Sequence, residues 1–179
     1  MDIDYSSLKN NIFDVVAEGQ IKLGYHREEI RMYYPLTSLN NFLHTRFNDE
    51  EMYRELQKFA GYMGDCAGKI SISRNKSRFC FNLSADLVEY VHTNVEQSEF
   101  LVEFINTIAK HHIVIEDLLA VFRKYSDKIY FEKIEGSEFD YLIYFVDGKP
   151  DNYRYCITDE GCHMTYHRFT EDDFREIVS

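Results

Sequence analysis

An α+β fold, helical at first and closing on a small antiparallel sheet, is predicted by three features of the chain. Apolar residues recur at helical spacing through most of residues 6–66 and 84–125. Two short alternating runs, KISIS and RFCFN, flank the polar turn RNKS at residues 74–77. From residue 129 onward, short aromatic and β-branched runs are separated by turn residues.

Taken in order, Ser6 or Ser7 is placed to cap a first helix with Leu8, Ile12, Val15, Val16 and Leu23 on one face, stopped by Gly24. Ile30 to Tyr34 then reads as a short strand or an extended entry, because Pro35 disfavours helix at the residue before it. Thr37 or Ser38 caps a short helix through Leu39, Phe42 and Leu43. Asn48 with Glu51 has capping-box spacing and opens a helix striped by Met52, Leu56, Phe59, Ala60 and Met63. Gly64 and Gly68 close it, and a hairpin follows in which Ile70 and Ile72 alternate with Ser71 and Ser73, and Phe79 and Phe81 with Arg78, Cys80 and Asn82.

Ser84 caps a helix carrying Leu87, Val88, Val91 and Val95. Two more helices follow, one with Phe100, Leu101, Phe104, Ile105 and Ile108, the other with Leu118, Leu119, Phe122 and Tyr125. Runs at residues 129–131, 141–146, 153–158 and 163–169 are short, and short turns separate them, which predicts an antiparallel meander. Thr170 caps a closing helix whose first turn, Glu171, Asp172 and Asp173, suits the positive end of the helix dipole.

The order helix, strand, helix, helix, hairpin in the first half is that of a winged helix. Charge divides the chain at about the same place. Residues 1–82 carry 11 Lys/Arg against 11 Asp/Glu, while residues 83–179 carry 9 against 20 and supply the whole net charge of −11. A winged-helix-like region over 1–83 and a helix-plus-sheet region over 84–179 are the expected domains, and no linker at the join separates them from one continuous domain.

For nucleic acid, the wing is the favourable feature: Lys69, Arg74, Lys76 and Arg78 present four cations to a phosphate backbone. Against it, the presumed recognition helix opens on Asp49, Glu50 and Glu51, with Glu55 one turn later, and the chain as a whole is acidic. The second half offers a different surface. Tyr141, Tyr144, Tyr153, Tyr155 and Tyr166 crowd short strands, and the alternation of Tyr141 to Val146 leaves both sheet faces substantially apolar. Either helices cover both faces, or one of them contacts a partner through tyrosines.

Chemistry-bearing motifs are scarce. There is no Gly-rich phosphate loop and no nucleophile elbow. On a strand, His163 and His167 would stand about 13 Å apart, too far to share a zinc ion. Cys66, Cys80, Cys156 and Cys162 form no CxxC pair, His111-His112 suits a helix end, and Glu99 with Glu103 reads as a solvated acidic face. No cofactor, metal or catalytic residue is assigned. The longest apolar runs are too short to cross a bilayer, and the reduced cysteines point to the cytoplasm.

The run IKLGYHREEIRMYYPLTSLNNFL, Ile21 to Leu43, resembles the start of a small family of uncharacterised bacterial proteins of this length, in its LGY and IRxYYPLxSLN patterns. The resemblance implies a bacterial cytoplasmic protein and carries over no catalytic residue. Its polar members Arg31, Ser38 and Asn40 are suited to bonds across the turn between strand and helix. The expected role is a non-enzymatic protein-interaction or regulatory module, with a protein partner or self-association. A winged-helix nucleic-acid-binding regulator is the alternative and an enzyme with an unrecognised site the third reading.

Overall fold

A computed structural model describes residues 2–179 and resolves them into two compact units, Met1–Glu96 and Gln97–Ser179.

The first unit runs α1 (Ser6–Leu23), β1 (Ile30–Pro35), α2 (Leu36–Leu43), α3 (Asp49–Cys66), β2 (Ile70–Asn75), β3 (Arg78–Leu83) and α4 (Ala85–Asn94). The hairpin partner β3 is central, so the sheet order is β1-β3-β2, antiparallel throughout, with Met32 and Ile72 both opposite Phe81. Strict alternation gives the sheet one buried face, formed by Met32, Tyr34, Ile70, Ile72, Phe79, Phe81 and Leu83. That face joins Leu8, Ile12, Leu39, Met52, Leu56 and Phe59 from the helices in one core. Polar bonds pin the layers together. The Tyr34 hydroxyl donates to Asn11 Oδ1 at 2.7 Å, and Gln20 Nε2 donates to the Val88 carbonyl at 3.1 Å, both buried.

The helix ends differ in part from expectation. The capping box at Asn48 and Glu51 forms, and Gly24 ends α1 at φ 79°. Ser6, by contrast, lies inside α1, where its N–H is taken by Asp4 Oδ1 at 2.9 Å, and α2 begins directly after Pro35 without a side-chain cap. Pro35 fixes an extended backbone and leads into the helix on its own. α3 runs through Gly64 to Cys66 before it stops.

The charge step at residue 83 and the unit boundary at 96/97 do not coincide. α4 belongs to the first unit because Leu87, Val88 and Val91 are buried in its core. Arg27, just past α1, also pairs with Asp86 and Glu89. Gly68 makes the docking close: a Cβ there would lie 2.8 Å from the Leu87 backbone.

The second unit runs α5 (Glu99–Ile108), α6 (Ile115–Tyr125), β4 (Ile129–Lys133), β5 (Tyr141–Phe145), β6 (Arg154–Asp159), β7 (Met164–Phe169) and α7 (Glu171–Val178). Its strands form the expected antiparallel meander in sequence order. On one face, Phe100, Phe104 and Phe122 from α5 and α6 meet Phe145 and Tyr155 edge to face or tilted, with centroids 4.8–5.8 Å apart. Each such pair adds about 0.5–1.5 kcal/mol beyond the area buried. On the other face, Leu142, Cys156 and Phe139 form a smaller cluster against which Tyr144, Phe169 and Phe174 of α7 pack. Among the described residues no helix is long and apolar enough to cross a membrane.

Candidate functional site

β4 is one of the two edge strands of the second sheet, β7 being the other. In an antiparallel meander the first strand has a neighbour on one side only. Val146 N–H donates to the Lys128 carbonyl and Ile134 N–H to the Asp140 carbonyl, so Lys128, Tyr130, Glu132 and Ile134 turn their backbone groups toward β5. Ile129, Phe131 and Lys133 turn theirs outward. The aromatic side chains of this strand stay exposed, Tyr130 and Phe131 each at 39%. They are nevertheless held in place: Tyr130 stacks on Tyr144 at 4.9 Å on one face, and Phe131 on Tyr141 at 5.8 Å on the other. The Tyr130 hydroxyl donates to Glu132 Oε2 at 2.7 Å, which raises its pKa. Arg154, nearly buried, lies 3.9 Å from the Tyr144 ring centroid and reaches Glu171 of α7 at 3.5 Å. The result is a stacked aromatic edge whose outward backbone groups meet no second strand among the described residues.

The five tyrosines singled out in the sequence divide accordingly. Tyr141 and Tyr144 flank this edge. Tyr153 lies under the Arg168 guanidinium at 4.2 Å, and Tyr166 packs half-buried on Phe104 at 5.0 Å. Tyr155 is not surface at all. It is fully buried among Phe100, Phe104 and Phe122, its hydroxyl bonded to Asp151, and burial drives its pKa well above the ordinary phenol value. Its inward direction follows from the pairing of Tyr155 with Ile143, which places both under α5 and α6. Tyr130, Phe131 and the 62%-exposed Val146 are surface residues outside the five tyrosines singled out. Their signal was the place of residues 129–131 as first strand of the meander.

In the first unit the four cations of the hairpin region, Lys69, Arg74, Lys76 and Arg78, are exposed but not equivalent. Arg74 is bound, with an ion pair to Glu50 at 2.9 Å and its guanidinium 4.8 Å from the Tyr53 ring centroid. Lys76 occupies the hairpin turn at φ 55°, Arg78 faces out opposite Asn75 and Pro35, and Lys69 precedes β2. The carboxylates that weighed against nucleic acid turn out to be largely engaged. Glu50 is held by Arg74, and Glu51 accepts from the Asn48 N–H. Glu55 is buried and accepts from the Tyr5 hydroxyl at 2.6 Å and Lys58 at 2.8 Å. Burial pushes the Glu55 pKa up, yet those two donors hold it below the ordinary value.

Of the polar residues in the resemblance run, Asn40 shapes the turn between α2 and α3. Its Oδ1 accepts from Phe47 N–H and Thr45 Oγ1, both at 2.8 Å, and its Nδ2 donates to the Phe47 carbonyl at 3.0 Å. Ser38 is buried and Arg31 points out from β1.

Other chemistry-bearing groups are accounted for locally. A shallow groove of about 590 Å³ along α5 is lined by Glu99, Glu103, Asn106, Lys110 and Tyr125 among others. Glu103 there accepts from Lys124 and the Tyr125 hydroxyl, both at 2.7 Å, which lowers its pKa and keeps it ionised. The Cys162 sulfur sits 3.3 Å from His163 Nδ1, and His163 Nε2 lies 2.5 Å from Glu160, but the trio stands on the exposed β6–β7 turn. Cys156 is buried and its thiol is pushed up to about 11. Among the described residues no three His, Cys, Asp or Glu are grouped to hold a metal ion.

A family described as "Domain of unknown function, E. rectale Gene description (DUF3877)" matches residues 5–178. The chain belongs to this family. No curated protein and no solved structure matches the chain. The family match spans both units, so the hairpin of the first and the β4 edge of the second both lie within the family's domain.

Proposed function

We propose that the chain is a non-enzymatic protein-interaction module that takes a polypeptide strand along the open edge of β4. One observation carries this reading: β4 exposes its outward backbone groups together with two aromatic side chains fixed by stacking on Tyr141 and Tyr144. An added strand gains affinity from main-chain bonds and selectivity from the flanking side chains. Pre-stacked rings lose little conformational freedom on contact. The test compares the wild-type chain with Phe131→Lys, which puts a charge on the edge. A bound polypeptide, a copy of the chain or another, should survive gel filtration on the wild type and be lost from the variant. Lone monomers in both cases would overturn the reading.

A second reading has its own support. With Glu50, Glu51 and Glu55 engaged internally, the winged-helix-like order of the first unit leaves Arg54, Lys76 and Arg78 exposed around α3 and the hairpin tip. Phosphate contact there predicts duplex binding that weakens steeply with salt and drops in Lys76→Ala/Arg78→Ala. Absence of binding to mixed duplexes at low salt removes it.

A further inference from the structure

We infer that the strand received at β4 is β4 of a second copy of this chain, paired antiparallel about a twofold axis through Tyr130; this rests on the edge reading above. Main-chain parity sets the first condition. Ile129, Phe131 and Lys133 face outward, and an outward residue must lie opposite an outward residue for the ladder to close. Registers that place odd positions opposite odd positions meet this condition, and side-chain chemistry chooses among them.

With the axis at Tyr130, Ile129 of one copy faces Phe131 of the other, twice over. Glu132 faces Lys128 on each side of the axis, so two opposite-charge pairs form across the seam. Tyr130 faces Tyr130 at the axis, on the side where each ring already stacks on Tyr144. Moving the axis to Phe131 sets Glu132 against Tyr130 and Lys133 against Ile129, with no opposite-charge pair, and moving it to Glu132 sets two Glu132 carboxylates against each other. The same patch meets itself in a closed twofold contact, and the two four-stranded sheets become one continuous sheet. Edge charges that would repel a foreign apolar strand are neutralised by the copy.

The decisive experiment combines mass, charge swap and cross-linking on the full chain. Sedimentation equilibrium on the wild type should give twice the 21.4 kDa of one chain at micromolar concentration. Lys128→Glu and Glu132→Lys each place like charges across the seam and should weaken the dimer on the order of tenfold, while the double variant restores the pairs and the affinity. Tyr130→Cys, in a background with the exposed Cys66 and Cys162 changed to Ser, should form an intermolecular disulfide under mild oxidation. Facing α-carbons at a non-hydrogen-bonded position are about 4.5 Å apart, within disulfide reach. Phe131→Cys, offset from the axis, should not link.

Linking through position 131 and not 130 would overturn the register, as would a double variant no tighter than the singles. A monomeric wild type that still carries a foreign polypeptide, released by Phe131→Lys, would overturn the second copy and leave the edge reading standing. A monomer that carries nothing would end both.

Discussion

Both sheets are antiparallel, and their strands are of similar length, yet their surroundings differ. In β1-β3-β2 the buried face carries Met32, Tyr34, Ile72, Phe79 and Phe81, while the other presents Arg31, Tyr33, Ser71, Ser73 and Arg78 to solvent. In β4-β5-β6-β7 both faces are apolar and both are covered, by α5 and α6 on one side and by the Phe139 cluster with α7 on the other. A one-sided sheet spends its alternation on solubility and leaves a polar face free. A two-sided sheet has no free face, so what it can offer a partner is its edge. That is why the interaction reading settles on β4, while the nucleic-acid reading belongs to the first unit.

The largest expected effect lies in the aromatic layer of the two-sided sheet. Phe122 is fully buried and touches Phe100, Phe104, Phe145 and Tyr155. Phe122→Ala should cost about 3–5 kcal/mol in denaturant unfolding, from lost contact plus the cavity left behind. A loss under about 1 kcal/mol would mean that this layer is loosely packed, and the contrast between the sheets would weaken.

Two cysteines probe the second face of each sheet directly. Cys156 is fully buried beside Leu142 and Phe139, whereas Cys80 stands half-exposed on the polar face of the first sheet, between Tyr33 and Ser73. Replacing each by Ser changes the same atom. Cys156→Ser should destabilise by about 1–3 kcal/mol, because the hydroxyl enters an apolar site. Cys80→Ser should stay within about 0.5 kcal/mol. Equal effects in urea titrations would show that the two outer faces are not different environments.

The first sheet was largely legible because its alternation is strict: Ile70 and Ile72 on one strand and Phe79 and Phe81 on the other name the buried face without further information. The second was legible in its order and not in its faces. Tyr141 to Phe145 are apolar in both directions, and which side takes α5 and α6 depends on packing between residues far apart in sequence. Tyr155 was taken for surface for that reason. The unit boundary was hidden similarly, since α4 is held to α1 and the loop after it through Gln20 and Arg27, and to the turn between α3 and β2 by the close contact at Gly68, none of which a charge count detects. Asn40 carried a visible signal, a polar side chain three residues before the end of an apolar stripe at Phe42 and Leu43. Only the geometry shows that it ties the turn on the far side of α2 and not the turn from β1.

The smallest contrast concerns two carboxylates with the same partners. Glu55 in the first unit and Glu103 in the second each accept from one tyrosine hydroxyl and one lysine, Tyr5 with Lys58 and Tyr125 with Lys124. Both have a pKa below the ordinary 4.5, Glu55 despite burial and Glu103 through its bonds to Lys124 and Tyr125. A carboxylate whose folded pKa is depressed stabilises the fold fully above its unfolded value. That contribution is lost as pH falls from about 4.5 through the folded pKa. Glu55→Gln should therefore flatten the acid limb of the stability–pH curve, since its site is largely shielded from water. Glu103→Gln should flatten it less, because its side chain is 34% exposed against 10% for Glu55. Urea midpoints measured from pH 3 to 7 for the two variants decide the matter. A larger change for Glu103 than for Glu55 would show that burial does not rank these two sites, and that the solvated groove along α5 holds its carboxylate more tightly than the core of the first unit does.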